Sequence, residues 1–309
     1  MLGYAGLLDG RRRLARALIA VLAASCLSAS LRVDPSLRAA GTHFVRADGT
    51  PFAWRGITAF RLLEFVAHNR ESQAAAYLDW AASEQITVVR VLSMAHVLFA
   101  LTPAEGEQAL PRLLELARAR GLVVEVVALA DTASYRIDLA RHVQAVGNAC
   151  AASRNCVIEI ANEPYHPTQS ADVHDHSVLR RLRGAIPSTV PVSLGTLDDR
   201  GELAAGDYVT WHSPRDSNWP ERMREGVGLV RRYGKPVIAD EPMGAADDAV
   251  PGRRDNVPEH FAMAARLAAE SGVGTTFHYE GGLQARLPTS TEMTCLKAWM
   301  AALTRGSAR

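Results

Sequence analysis

The chain has 309 residues, of which 48% are hydrophobic and 22% charged. That composition excludes a disordered chain and can support one large core. With 34 Lys and Arg against 33 Asp and Glu, the net charge is +1. Nothing in this balance asks for nucleic acid or an anionic membrane surface as a partner.

In chain order, Arg11, Arg12, Arg13 and Arg16 precede an apolar run, Ala17 to Ala24, which ends in small residues from Ser25 to Ser30. Basic segment, short apolar segment and small-residue region follow the order of a secretory signal. The run is too short for a bilayer span, which takes about 20 apolar residues. Residues 1–30 are therefore expected to be an export leader, with an N-terminal amphipathic helix of the mature chain as the other reading. Cys26 follows Leu22-Ala23-Ala24-Ser25, which resembles a lipoprotein cleavage box. Lipid on Cys26 would be the chain's one tie to a membrane, while cleavage near Ser28 or Ser30 would leave it none. Cys150 and Cys156 are close enough to pair in an exported protein. Their spacing does not match a zinc pattern, and Cys295 has no evident partner.

Two apolar runs flank Asp48-Gly49 between His43 and Gly56, a hairpin signal. The second run flows into a first strand at Ile57 to Ala59. Strands and helices then alternate. Thr87 to Met94 follows a helix over Ala74 to Glu84, and Leu122 to Ala130 follows a helix over Pro103 to Arg120 that closes at Gly121. Val157 to Ala161 follows Ile137 to Cys150. Pro191 to Leu197 and Tyr208 to His212 are the next strands, separated by an unusually short connection. Pro236 to Asp240 follows Trp219 to Tyr233, Gly274 to Tyr279 follows Asn256 to Ser271, and a last helix covers Ser290 to Leu303. Continuous apolar strands alternating with amphipathic helices mark a parallel sheet covered on both faces. Eight such units over residues 41–305 fit one (β/α)8 TIM barrel with an N-terminal β-hairpin. No phosphate-binding glycine loop follows the first strand, against a nucleotide-binding fold.

In such a barrel, function gathers at the C-terminal ends of the strands. The fourth strand there reads Asn162-Glu163-Pro164 and the seventh Asp240-Glu241-Pro242. Two carboxylates thus face one mouth. Cleaving a glycosidic bond needs such a pair, one to protonate the leaving oxygen and one to attack or support the anomeric carbon. Neighbours such as Arg90, His212 and His278, each near a strand end, could hold the two groups in opposite protonation states. Alternation along a strand sends adjacent side chains to opposite sides, so only one of Asp240 and Glu241 is expected to face the mouth. Arginine is rarely buried alone, so Arg90 is expected to lie beside a carboxylate.

The segment Ile158-Glu159-Ile160-Ala161-Asn162-Glu163-Pro164 resembles the acid/base motif of glycoside hydrolase clan A, especially the cellulase-like family 5. Asp-Gly-Thr-Pro and Trp-Arg-Gly in the entry hairpin are similar to that family's start, and the resemblance spans about residues 43 to 303. It implies a retaining glycosidase acting on a β-linked oligo- or polysaccharide, with Glu163 as acid/base and Glu241 as nucleophile. It further implies that Asn162 holds the sugar and that Arg90 and His212 orient the nucleophile. No metal or organic cofactor is implied. The chain departs from the family's pattern at Pro214, where a tyrosine is usual, and at His278-Tyr279-Glu280, where a tryptophan platform is usual. A carbohydrate-binding barrel with lost or feeble catalysis is the rival reading.

Several residues carry weaker signals. Trp211, Trp219, Tyr165 and Tyr279 could stack on sugar rings or be ordinary core and rim; Trp211, Tyr279 and His278 are taken as substrate-binding candidates. Asp131 is expected to cap a helix more than to line the pocket. Asp172, His174, Asp175 and His176 invite a metal reading, but at the start of a helix their side chains splay, and a solvated face is expected.

Overall fold

The computed structural model describes residues 34–195, 205–212 and 218–306. The leader segment, with Cys26, and Pro214 lie outside the described residues. Residues Pro35–Arg309 form one compact unit.

The unit opens with a two-stranded antiparallel ribbon, β1 (Leu37–Ala40) and β2 (His43–Arg46). The hairpin expected around Asp48-Gly49 is thus displaced by one strand. Asp48-Gly49 does form a tight turn, with Gly49 at φ 85 and the Asp48 carboxylate accepting from the Thr50 amide. Beyond it, however, only a single bridge, Val45 to Pro51, continues the pairing. Proline has no amide proton to extend a ladder.

Eight parallel strands then make the barrel: β3 (Arg55–Thr58), β4 (Val88–Leu92), β5 (Val123–Leu129), β6 (Cys156–Ala161), β7 (Val192–Ser193), β8 (Val209–Trp211), β9 (Val237–Ala239) and β11 (Gly274–Tyr279). They pair in the order β7-β6-β5-β4-β3-β11-β9-β8. At the seam between β7 and β8 side chains take over from the ladder. The Thr210 amide donates to Ser193 Oγ at 3.0 Å, and the two hydroxyls lie 2.8 Å apart. After β9 the chain breaks from the sheet at Asp240-Glu241-Pro242 and rejoins it as β10 (Gly244–Ala245), paired with the end of β11.

The helices are α1 (Leu62–Ala67), α2 (Glu71–Ser83), α3 (Pro103–Arg118), α4 (Leu139–Ser153), α5 (His176–Arg183), α6 (Trp219–Tyr233), α7 (Pro258–Ser271) and α8 (Ser290–Gly306). Local chemistry explains their starts. Thr102 and Glu105 form a reciprocal capping box ahead of Pro103, and Asp138 accepts from the Arg141 amide. The short α1 was not foreseen, because six residues carry no helical period.

The main apolar core lies between strands and helices. A second cluster fills the barrel floor, where Val88, Val123, Val157, Tyr208 and Ile238 meet Leu37, Phe44, Phe52 and Trp54 from the ribbon and its sequel. Phe44 stacks on Trp54 and meets Tyr208 edge-on, with centroids 5.3 Å apart in both pairs. Cys150 and Cys156 are joined by a disulfide at the end of α4 and the start of β6; Cys295 is free and buried.

Candidate active site

A cleft of about 740 Å³ opens at the C-terminal ends of the strands. Asn162, Glu163, His212, Glu241 and His278 all line it, as do Asp131 and Glu280. The structure therefore brings together both predicted carboxylates and most of their expected neighbours.

Arg90 organises the site from below. It points into the barrel from β4 with no exposure. Its Nη1 donates to Glu241 Oε1 at 3.0 Å, and its Nε and Nη2 donate to Glu159 Oε2 at 3.0 and 2.8 Å. A fourth donation, from Nη2 to Asn162 Oδ1 at 3.0 Å, ties in the residue beside Glu163. The carboxylate expected beside Arg90 is thus not one but several. Burial works against the arginine's charge, but Glu159, Asp240, Glu241 and Glu125 more than offset it.

His212 Nε2 lies 3.1 Å from Glu159 Oε1 and 3.2 Å from Arg90 Nη2. Arginine only donates, so a protonated Nε2 must donate to Glu159, with Arg90 a close second cation across the same carboxylate. Burial opposes that charge, but Glu159 outweighs it and raises His212 to about 9. Glu159 is correspondingly held below the usual carboxylate range: burial pushes it up, and Arg90 and His212 pull it further down. His278 Nδ1 sits 3.0 Å from the Thr58 hydroxyl, and its Nε2 3.9 Å from Glu241 Oε2.

Glu241 comes off the end of β9 and is 8% exposed; Asp240 is fully buried. As expected, only Glu241 of the two lines the cleft. Asp240 does not turn away to the helices, however: both converge on Arg90, with Asp240 Oδ2 3.9 Å from its Nε. Regular strand geometry ends at Ala239, so alternation no longer governs them.

Glu163 stands in a loop rather than at a helix start, since α5 begins only at His176 with Asp175 as its cap. Its backbone adopts φ 43, the left-handed region that a residue other than glycine enters at a cost. The surrounding loop is pinned. The Asn162 amide donates to Leu129 O, and the Gln169 side-chain amide donates to Asn162 O at 2.6 Å and Leu129 O at 3.2 Å. The Glu163 carboxylate itself makes no hydrogen bond or ion pair with any described residue. It is half-buried and lines the cleft.

Two candidates are not brought to the site. Trp211 packs outward against Gly226 of α6, and Tyr279 is buried, with its hydroxyl 2.8 Å from that of Tyr77 and donating to Arg286 O. The reason is the pleat. His212 and His278 face the barrel, so the residue adjacent to each in its strand faces the helices. Tyr165 is exposed with its ring tilted against His176, and the Trp219 side chain lies outside the described residues. Asp131 caps no helix; its carboxylate accepts from the His96 and Val97 amides at 2.8 and 2.9 Å and so fixes the loop after β4. Asp172 to His174 form turns, Asp175 caps α5 by accepting from the Ser177 amide, and His176 opens that helix.

Glu159 and Glu125, both central here, were not singled out in the sequence. Their signal was available: a charged residue at an inward position of an otherwise apolar strand is costly without a purpose. Glu159, His212 and Asp240 could also bring three ligand atoms within 4.8 Å of one another, the one such group among the described residues. Arg90 already supplies positive charge there, hydrogen-bonded to Glu159 and 3.2 Å from the His212 nitrogen a metal would need. The trio is the arginine's anchor and does not fit a metal.

The fold and the mouth define a (β/α)8 barrel with a carboxylate pair at the ends of its fourth and seventh strands. Solved structures of similar fold include glycoside hydrolases. One, assigned to that class, is from Bacteroides vulgatus (TM-score 0.63, 16% identity); the alignment covers 86% of this chain and 61% of that one. A β-glucanase from Saccharophagus degradans, solved with cellotetraose, has TM-score 0.63 and 12% identity over 87% of this chain and 94% of its own. A family 5 mannosidase from Rhizomucor miehei has TM-score 0.59 and 12% identity, covering 89% and 99%. No protein-family model and no curated protein matches the sequence.

Proposed function

We propose that this chain is a retaining glycoside hydrolase acting on a β-linked oligo- or polysaccharide, with Glu163 as acid/base and Glu241 as nucleophile. One observation carries the reading: two glutamates line one cleft in opposite surroundings. Glu241 takes a charge-assisted hydrogen bond from Arg90 at 3.0 Å, which suits an anion. Among the described residues the Glu163 carboxyl has no hydrogen-bond or ion-pair partner, which leaves it to meet a leaving-group oxygen. Such a split is what general acid and nucleophile require of a carboxyl pair.

In the first step Glu241 attacks the anomeric carbon while Glu163 gives its proton to the departing oxygen. In the second, Glu163 takes a proton from water, which displaces the sugar from Glu241. Asn162, already fixed by Arg90, presents its side-chain amide to the sugar. Among the described lining residues Phe60 is the one aromatic hydrocarbon ring, and it is buried. That weighs against a barrel built only to bind sugars, which would lean on stacking. Export accords with the Cys150–Cys156 disulfide, because such bonds persist in oxidising compartments.

Hydrolysis of aryl β-glycosides, β-glucans and mannans tests the proposal. Glu163→Gln and Glu241→Gln should each lose about 10²–10⁴-fold in kcat, and the first-formed product should keep the β-configuration by NMR. An α-product would remove the retaining mechanism, and binding without turnover in the wild type would remove the enzyme.

A further inference from the structure

The barrel interior holds groups that the proposed chemistry does not use. Branched apolar side chains normally fill such an interior. Here the layer beneath the mouth carries Arg90, Glu125, Glu159 and Asp240, all fully buried. Glu159 is satisfied by Arg90 and His212. Glu125 and Asp240 are each satisfied on one side only: Tyr208 donates its hydroxyl to Glu125 Oε1 at 2.9 Å, and the Thr276 hydroxyl lies 3.1 Å from Asp240 Oδ1. Among the described residues no other group donates to their remaining oxygens, and both stand 3.9 Å from Arg90 Nε.

Charge balance makes the point sharper. Were Glu125, Glu159, Asp240 and Glu241 all ionised, four anions would face two cations, Arg90 and His212. Protons on Glu125 and Asp240 restore balance, and an uncompensated buried charge is far costlier than a neutral acid.

We propose that Glu125 and Asp240 are positioning residues that act as a protonated carboxyl pair, keeping Arg90 turned up towards Glu241. When the first proton passes to solvent, the new anion beside Nε draws the guanidinium down into the barrel, and its bond to Glu241 is given up. The groups facing the pair are Arg90 from β4, Glu159 from β6, Tyr208 and His212 from either end of β8, and Thr276 from β11. Burial, then the Glu159 charge, raises Glu125 to about 7. Burial, then Glu125, raises Asp240 well above the usual range. The two are near enough to influence each other, so they titrate as a unit. The inference rests on Glu241 being the nucleophile.

Infrared spectra of the wild-type protein test the protonation without any substrate. A buried carboxylic-acid C=O band should be present at mildly acidic pH, shrink as pH rises through about 7, and weaken in both Glu125→Gln and Asp240→Asn. No such band would overturn the proposal outright. The coupling is read from pH profiles. Glu125→Gln, a permanent mimic of the neutral acid, should move the alkaline limb of kcat/KM upward by about one pH unit or more; Asp240→Asn supplies the same measurement if the first variant does not fold. Alkaline limbs unmoved in the folded variants would overturn the link to Glu241. Should no glycoside be hydrolysed at all, the function falls, while the infrared result still decides whether the pair is protonated.

Discussion

Arg90 shows how much one side chain can settle. It holds Glu241 through Nη1, and Glu159 and Asn162 together through Nη2. Removing it leaves buried carboxylates without compensation, so Arg90→Met should cost about 3–5 kcal/mol of stability as well as activity, measurable by denaturant unfolding. The cluster also sets the pH response of folding. His212 is raised from 6.5 to about 9, so its stabilisation is complete below pH 6.5 and is lost as pH climbs to 9. Glu125, raised from 4.5 to about 7, favours the native state fully below pH 4.5 and loses that advantage towards pH 7. Glu159, lowered below 4.5, works the other way and stabilises only above its unfolded value. Melting temperature should therefore peak at mildly acidic pH and fall steadily towards pH 9. A peak on the alkaline side would contradict the protonation states assigned here. The sequence made Glu163 and Glu241 legible because each follows the end of a strand, where position alone argues function. Arg90 lies in the middle of β4 and was marked by the family resemblance; Glu125 and Glu159, equally mid-strand, carried no such mark.

At the level of elements, the pleat of the strands decided which expectations held. Where strands are regular, alternation sorts His278 from Tyr279 and His212 from Trp211, and applied consistently it would have removed both aromatics from the cleft. Where the strand breaks, after Ala239, the same rule misplaces Asp240. Such breaks depend on what the neighbouring chain offers, here the rejoining at β10 beside β11, which no local pattern announces. The eight units, β7 among them within Pro191 to Leu197, and most helices were readable from hydrophobic period; the short α1 was not. The Asn162 to Ser170 loop is the element most exposed to a test. Gln169 is buried and bonds Asn162 O, Leu129 O and, through its own oxygen, the Thr132 hydroxyl. Gln169→Ala should cost about 1–3 kcal/mol by stranding those groups, and should lower kcat more than it raises KM, because Glu163 would lose its fixed placement. An unchanged kcat would mean that Glu163 is placed by its strand alone.

For the molecule as a whole, two features stand outside the site. The Cys150–Cys156 disulfide ties the end of α4 to the start of β6, the strand that carries Glu159 and leads to Glu163. It closes a very short loop, so reduction should lower stability by only about 2–3 kcal/mol, and thermal melts with and without reductant would show it. The other is the aromatic floor made by Phe44, Trp54 and Tyr208. Because this stack plugs the lower end of the barrel, the chamber above it is a blind alley. Substrate, product and the protons of the buried acids all share the upper door. A sugar resting in the cleft is then also a stopper: while it sits there, Glu125 and Asp240 should trade hydrogen for deuterium more slowly than in the empty protein.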